Sequence, residues 1–115
     1  MSQIIDLARF RRSKRRLYFN RAELSQLMGL YSRRVSSGEW RDYAIDHLEG
    51  MAVFSVFRNT HDQPLFSIVK LAGRPGRDPD FIAATGGHKF AASKQLGEVL
   101  AKAESRFQQR LSVVK

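Results

Sequence analysis

The residues whose types and spacing point most clearly to a binding function are cations near the start of the chain. Six lysine and arginine side chains fall within positions 9–16, and five of the six are arginines. Such a cluster neutralises phosphates and releases their counterions, and each arginine can contact a phosphate through two parallel hydrogen bonds. Aromatic residues close by can stack on exposed bases. The cations are Arg9, Arg11, Arg12, Lys14, Arg15 and Arg16, and the aromatic neighbours are Phe10, Tyr18 and Phe19.

Two other interpretations of this basic cluster stay open. A basic run can remain solvated or bind a protein, and the apolar residues around it could instead lay it on an anionic membrane surface. Those apolar residues are Ile4, Ile5, Leu7 and Phe10. We favour nucleic acid, because an excess of arginine over lysine is typical of phosphate contact rather than of a solubilising tail. The rest of the chain offers four further candidate phosphate contacts: Arg74, Arg77, Lys89 and Lys94.

No convergent catalytic or cofactor-binding set is visible in the sequence. The chain has no cysteine, and its histidines, His47, His61 and His88, lack the compact spacing of a zinc site. The run Thr85–Lys89 combines two glycines with a lysine, as phosphate-binding loops do, but it lacks the Walker spacing. We therefore predict a non-enzymatic nucleic-acid-binding accessory protein of unknown specificity, without cofactor or metal, that contacts phosphates through its basic arm.

The composition is that of a small folded domain. At 115 residues, with 43% hydrophobic and 27% charged residues, the chain can bury one core without metal or disulfides. No apolar run approaches the ~20 residues that span a bilayer, and the first residues lack the features of a signal peptide. The net charge of +9 is concentrated towards the two ends, around an acidic segment at 37–50. We expect a cytoplasmic protein without a transmembrane segment.

Two segments have helical periodicity. Asn20 and Glu23 can form a capping box, after which apolar residues recur at steps of three and four until Gly38 ends the helix. Near the other end of the chain, Ser93 can cap a last helix. The apolar faces are Leu24, Leu27, Met28, Tyr31 and Val35 in the first helix, and Leu96, Leu100, Ala103, Phe107 and Leu111 in the second.

Between the helices the periodicity shifts towards two, which is typical of strands. We predict strands at 43–48, 51–57, 65–71 and 81–85, with a short return strand at 88–90. Two-residue links at Glu49-Gly50 and Gly86-Gly87 suit tight hairpins. This order predicts an α+β fold, an antiparallel β-meander of four to five strands with an N-terminal and a C-terminal helix packed on it. Residues 1–16 are predicted as a basic, flexible arm, and residues 17–115 as one domain.

Both faces of the predicted sheet carry apolar residues. In the second strand, Val53 and Phe57 alternate with Phe54 and Val56. We expect the two helices to cover both faces. Otherwise the open face would be a surface for a homodimer or another protein partner.

A tryptophan-containing motif follows the first helix. We expect Trp40 to fill the junction between the helix and the sheet, while Arg41 and Asp42 hold the turn. The alternative is a recognition surface, because Trp40, Arg41 and Tyr43 are residue types enriched at binding hot spots. The alternative function is therefore a protein-interaction or regulatory adaptor that uses the surface Trp40–Asp46 or an exposed sheet face.

Several runs of sequence, spread over roughly residues 17–110, carry a resemblance to a known family. They lie at 19–24, 30–31, 38–46, 52–58 and 64–65, and the most specific is Gly-Glu-Trp-Arg-Asp-Tyr-Ala at 38–44. With them the chain resembles a family of short alphaproteobacterial proteins catalogued only as a domain of unknown function (number 2794). The resemblance implies a bacterial cytoplasmic protein and brings no activity, cofactor or catalytic residue. The basic cluster at 9–16 lies outside it.

Overall fold

The computed structural model describes residues 15–36, 38–59 and 63–114, with side chains up to Phe107. These residues form one five-stranded antiparallel sheet with a helix before it and a helix after it, the α+β order that the sequence predicts. No helix in these ranges is long and apolar enough to cross a bilayer. The elements are α1 (Arg21–Val35), β1 (Asp42–Leu48), β2 (Met51–Phe57), β3 (Phe66–Leu71), β4 (Asp80–Thr85), β5 (His88–Ser93) and α2 (Leu96–Val114).

Helix α1 begins where the sequence predicts. The Asn20 side chain accepts a hydrogen bond from the backbone N–H of Glu23, and the Glu23 carboxylate accepts one from the backbone N–H of Asn20, each at 2.8 Å. The predicted capping box is therefore confirmed. The helix ends at Val35, and Gly38 follows with a φ of 81°, a conformation that glycine adopts without strain.

The five strands form a meander in which each strand pairs with the next along the chain. The link Glu49-Gly50 is the predicted two-residue hairpin, with Gly50 at a φ of 71°. The last strand is longer than the predicted range 88–90. It continues to Ser93 because β5 keeps its pairing with β4 past a shift in register at Ala83.

Helix α2 begins later than the sequence predicts. Ser93 is the last residue of β5, and its hydroxyl accepts from the backbone N–H of Gln95 at 3.0 Å and donates to the Glu98 carboxylate at 2.6 Å. The predicted position of the cap is therefore wrong, since the helix starts only at Leu96. Leu111, the last predicted apolar position, lies beyond the described side chains. The other predicted positions are buried: Leu96, Leu100, Ala103 and Phe107.

Both helices pack on the same face of the sheet, which we call the helix-covered face. Helix residues such as Leu27 and Val99 share one hydrophobic core with Phe54 and Phe66 of the strands. The expectation that the helices cover both faces is therefore wrong, because α1 and α2 contact each other on one side. The opposite side, which we call the second face, carries a separate apolar cluster: Met51, Val69, Leu71 and Ile82.

A buried ion pair joins α1 to the middle of the sheet. Lys70 of β3 has a side chain that is 9% exposed, and its Nζ donates to Glu23 Oε1 at 2.7 Å and to the carbonyl of Tyr18 at 2.9 Å. Glu23 is also the carboxylate that completes the capping box. The Lys70 ammonium group therefore joins the central strand both to the start of α1 and to the segment before it.

A second charged cluster joins α1 to α2. Glu104 of α2 accepts hydrogen bonds from Arg33 at 3.2 Å and from Arg34 at 3.1 Å, and Arg34 also reaches Glu39 at 3.5 Å. The hydrogen bond from Arg33 lowers the pKa of the Glu104 carboxyl below its ordinary value, outweighing the opposing effect of desolvation. The hydrogen bond from Arg34 lowers this pKa further.

Loss of the Lys70 cation should destabilise the fold strongly, because it leaves the Glu23 carboxylate almost buried without its partner. We expect Lys70→Met to lower the free energy of unfolding by about 3–5 kcal/mol, against at most about 1 kcal/mol for the more exposed Arg33→Ala. Urea denaturation followed by circular dichroism measures both values. The double variant Glu23→Gln, Lys70→Met should recover part of the loss. Wild-type stability of Lys70→Met would contradict this role.

The Glu104 cluster predicts a specific acid sensitivity. Because the folded-state pKa of Glu104 is lowered, its pairing stabilises the fold fully above the ordinary pKa of 4.5 and less as the pH falls below that value. Glu104→Gln should therefore reduce the loss of stability between neutral pH and a pH below 4.5, as measured by urea denaturation. Glu49→Gln, which changes an exposed carboxylate, is the control. Unchanged acid sensitivity in Glu104→Gln would refute the assignment.

Candidate nucleic-acid interface

The two ends of the sheet carry different sets of cations. At one end lie the turn 49–50 and the loop 72–79, and we call it the hairpin end. At the opposite end lie residues 40–41, residue 58 and the turn 86–87, and we call it the Trp40 end. Antiparallel pairing fixes this division, because the chain reverses direction at every turn.

Arg15 and Arg16 lie against the hairpin end. The Arg15 carbonyl accepts a hydrogen bond from the backbone N–H of Gly50 at 2.9 Å. The Arg16 guanidinium donates to the carbonyl of His47. Both residues are exposed. Two cations of the predicted arm therefore lie on the folded surface.

The loop 72–79 meets the chain at the same place. The backbone N–H of Ala72 donates to the Gly50 carbonyl at 2.9 Å, so Gly50 links Arg15 directly to the loop. Arg74 and Arg77 are both exposed in this loop, and the Arg77 N–H donates to the Arg74 carbonyl at 2.8 Å. The loop therefore presents its two predicted phosphate contacts beside the start of the described chain.

Contacts on both sides hold the loop in place. Gly73 passes so close to Asp78 that a Cβ on Gly73 would lie 2.4 Å from the Asp78 carbonyl oxygen, so a larger residue would displace the backbone. Lys94 donates to the same carbonyl at 3.0 Å and forms an ion pair with Asp80 at 3.1 Å. A phosphate would therefore have to compete with Asp80 for Lys94.

The remaining predicted phosphate contacts do not join this cluster. Lys89 is exposed near the turn 86–87 at the Trp40 end, which is the opposite end of the sheet from the loop. Arg9, Arg11, Arg12 and Lys14 fall outside the residues that the structure describes. Four of the predicted contacts, Arg15, Arg16, Arg74 and Arg77, lie at the hairpin end.

Trp40 is a core residue. It is 2% exposed, and its ring meets Phe66 edge to face, with 5.2 Å between centroids. This burial agrees with the expectation that Trp40 fills the junction between helix and sheet. An adaptor surface here would present Arg41 and Tyr43, which are exposed, instead of the indole. Tyr43 in turn packs edge-on against Tyr31 at 4.8 Å.

Other polar residues singled out in the sequence have structural contacts. The His47 ring lies 4.6 Å from that of Tyr18. The Thr85 hydroxyl donates to a backbone carbonyl at 2.6 Å beside the turn Gly86-Gly87, whose glycines both have positive φ. Within the described ranges, which leave out His61, no three histidine or acidic side chains stand close enough to hold a metal ion.

Sequence reasoning does not identify Lys70 and Gly50 as organising residues. A lysine between Val69 and Leu71 in an apolar strand is a usable signal, because a buried cation requires a partner. The contact through Gly50 has no comparable signal. It joins three segments that are far apart in the sequence, and only the folded sheet brings them together.

Comparison with known protein families agrees with the resemblance seen in the sequence. The model of a family described as a protein of unknown function (DUF2794) matches residues 17–105. No curated protein and no solved structure matches the chain. The matched range includes the loop with Arg74 and Arg77 and begins after Arg15 and Arg16.

Because Trp40 is buried and Arg41 is exposed, replacing Trp40 should destabilise the fold far more than replacing Arg41. Trp40→Ala should lower the free energy of unfolding by about 3–5 kcal/mol, because it leaves a cavity between α1 and the sheet. Arg41→Ala should change it by no more than about 0.5 kcal/mol. Urea denaturation of both variants is the measurement. Equal stability of the two variants would contradict the core role of Trp40.

Proposed function

Because the chain belongs to the DUF2794 family, whose function is unknown, we propose its function from geometry and charge alone. The protein is a non-enzymatic nucleic-acid-binding accessory protein of the bacterial cytoplasm that contacts phosphates at the hairpin end of its sheet. The observation that carries this proposal is that four exposed arginines lie at one end of the sheet, where backbone hydrogen bonds of Gly50 join Arg15 to the loop that holds Arg74 and Arg77. They are Arg15, Arg16, Arg74 and Arg77.

The other four cations of the predicted arm, Arg9, Arg11, Arg12 and Lys14, directly precede Arg15 in the sequence. Exposed Glu49 and Asp78 offset part of the positive charge at the hairpin end. We propose that the four arm cations strengthen the phosphate contact made there.

This arrangement favours binding to the backbone of a nucleic acid rather than reading of its bases. Guanidinium groups can contact phosphates with two hydrogen bonds, and such contacts fix position without carrying sequence information. Neutralised phosphates release counterions, so the affinity should fall steeply as salt rises. We expect strong salt dependence and little sequence preference.

Two double variants of equal charge test the position of the site. Arg74→Ser with Arg77→Ser removes two cations at the hairpin end, and Arg41→Ser with Arg58→Ser removes two exposed cations at the Trp40 end. Fluorescence anisotropy with a labelled duplex DNA, measured over a series of KCl concentrations, gives the salt slope. The hairpin-end variant should lower the magnitude of this slope by about 2, roughly 1 for each phosphate that the protein no longer neutralises. The Trp40-end variant should leave it nearly unchanged.

The same binding measurements can also contradict the proposal. Equal changes in both double variants would mean that net charge alone governs binding, without a site at the hairpin end. A chain that begins at Arg15 measures the share of residues 1–14, and it should bind more weakly than the full chain. Binding of the intact protein that does not respond to salt would exclude phosphate contact as its basis.

A further inference from the structure

A cavity of about 430 Å³ lies beside the loop 72–79 at the hairpin end. Volumes of ~300–1,000 Å³ are typical of small-molecule sites. Among the described residues, three parts of the chain line the cavity: the segment before α1, strand β3 and the loop itself. The cavity therefore has the size of a ligand site, and its walls are mainly apolar. The apolar side chains in its lining are Leu17, Ala72, Pro75 and Pro79.

Backbone hydrogen bonds hold the walls of this cavity in place. The N–H of Leu17 donates to the Leu48 carbonyl at 2.8 Å, which ties the segment before α1 to the end of β1. In the loop, the N–H of Ala72 donates to the Gly50 carbonyl at 2.9 Å. A site that is already formed loses less conformational entropy when a ligand binds. The cavity therefore does not have to be built by its ligand.

A buried cation lines the same cavity. Lys70 is 7% exposed, and its ammonium group has three N–H donors. Two of them have acceptors, the Tyr18 carbonyl at 2.9 Å and Glu23 Oε1 at 2.7 Å. The third N–H has no acceptor among the described residues. A ligand in the cavity can therefore supply one.

The charge around Lys70 favours a neutral acceptor over an anion. The Glu23 carboxylate, whose side chain is 12% exposed, already balances the charge of the ammonium group. An anion inside the cavity would lie near this carboxylate, where little water screens the repulsion between like charges. A carbonyl oxygen accepts the third N–H without adding negative charge. The interior of the cavity thus suits an uncharged body that carries a carbonyl group.

Positive charge lies at the opening of the cavity. Arg77 lines the cavity and is exposed, so it lies where the cavity meets solvent. Its N–H donates to the Arg74 carbonyl at 2.8 Å, which holds the backbone of the two arginines together. Guanidinium groups bind phosphate through two parallel hydrogen bonds. A ligand that fits both parts has a neutral, carbonyl-bearing body with a phosphate attached, which is the chemistry of a nucleotide.

We propose that the cavity takes one unpaired base of a single-stranded nucleic acid, while the arginines at its opening contact the neighbouring phosphates. The inference rests on the proposed function and deepens it, because it names the form of nucleic acid that the hairpin end holds. Apolar side chains pack against the faces of an unstacked base, and a polar group contacts its edge. Every base offers such a face, so the contact adds little sequence preference. In a duplex the bases stay paired and stacked, and only the phosphates are within reach.

Two single strands of equal length and charge test the base site on the full chain. Oligothymidylate carries two carbonyl acceptors on each base, O2 and O4, whereas a strand of abasic sites has the same phosphates without bases. In fluorescence anisotropy at one KCl concentration, oligothymidylate should bind roughly tenfold more tightly, a difference within the range for stacking of one base. Equal affinity of the two strands would overturn the base site.

The same two strands separate this inference from the proposed function. Equal affinities that both fall steeply as KCl rises would leave the phosphate contact of the proposed function standing without a base site. Failure of both strands to bind even at low salt would overturn both proposals.

A variant that fills the cavity shows where the base lies. Ala72→Leu enlarges a side chain of the lining, and it should bring the affinity for oligothymidylate down to that for the abasic strand. Ala101→Leu adds the same side chain at an exposed position of α2, so it is the matched control and should keep the difference between the strands. A difference that survives in Ala72→Leu would place the base elsewhere and overturn the proposal.

Chemical shifts of the unaltered protein answer the same question even if Ala72→Leu fails to fold. The ring current of a base in the cavity should shift the methyl resonances of Leu17 and Ala72 when oligothymidylate is added. The abasic strand should leave these resonances nearly in place, and the methyl group of Ala101 should respond to neither strand. Methyl resonances of Leu17 and Ala72 that respond equally to both strands would refute the cavity as the site of the base.

Discussion

The ion pair between Glu23 and Lys70 is the constraint on which the rest of the structure depends. Glu23 closes the capping box of α1 while it accepts from Lys70 in the central strand, and Lys70 also holds the Tyr18 carbonyl. Removing the partner of a nearly buried charge costs several kcal/mol of folding free energy, about 3–5, so these groups stay together in the folded protein. Gly50 holds the Arg15 carbonyl a few residues earlier. These two contacts hold the backbone of Arg15 and Tyr18 against the sheet, just before α1 begins.

The parts of the fold that depend on local chemistry could be predicted from the sequence. The capping box at Asn20 and the hairpin at Glu49-Gly50 are short-range patterns, and the structure confirms both. The apolar periodicity of the helices is confirmed in most of its predicted positions, but Val35, at the end of the first helix, is exposed. Amphipathic periodicity shows that a helix has an apolar side but does not show which sheet face receives it. The placement of both helices on one face could therefore not be predicted. The cap at Ser93 failed because strand pairing, a long-range interaction, extends β5 through it.

Some features of the candidate site could likewise be predicted from the sequence, and others could not. The cationic cluster at 9–16 is visible in the sequence, and so is the burial of Trp40 as a junction residue. The meeting of Arg15 with the loop of Arg74 and Arg77 is not visible, since it rests on backbone hydrogen bonds between distant segments. From its charge, Lys89 was predicted to contact phosphates together with Arg74 and Arg77. The topology instead places Lys89 at the other end of the sheet.

The most direct test of the central claim is a titration of isotope-labelled protein with a short duplex DNA, followed through backbone amide chemical shifts. Phosphate binding at the hairpin end predicts that the amides of Gly50, Ala72 and Arg77 shift together and saturably, while those of Arg41 and Lys89 stay in place. Shifts centred on Arg41 and Lys89, or no saturable shift at low salt, would contradict the account.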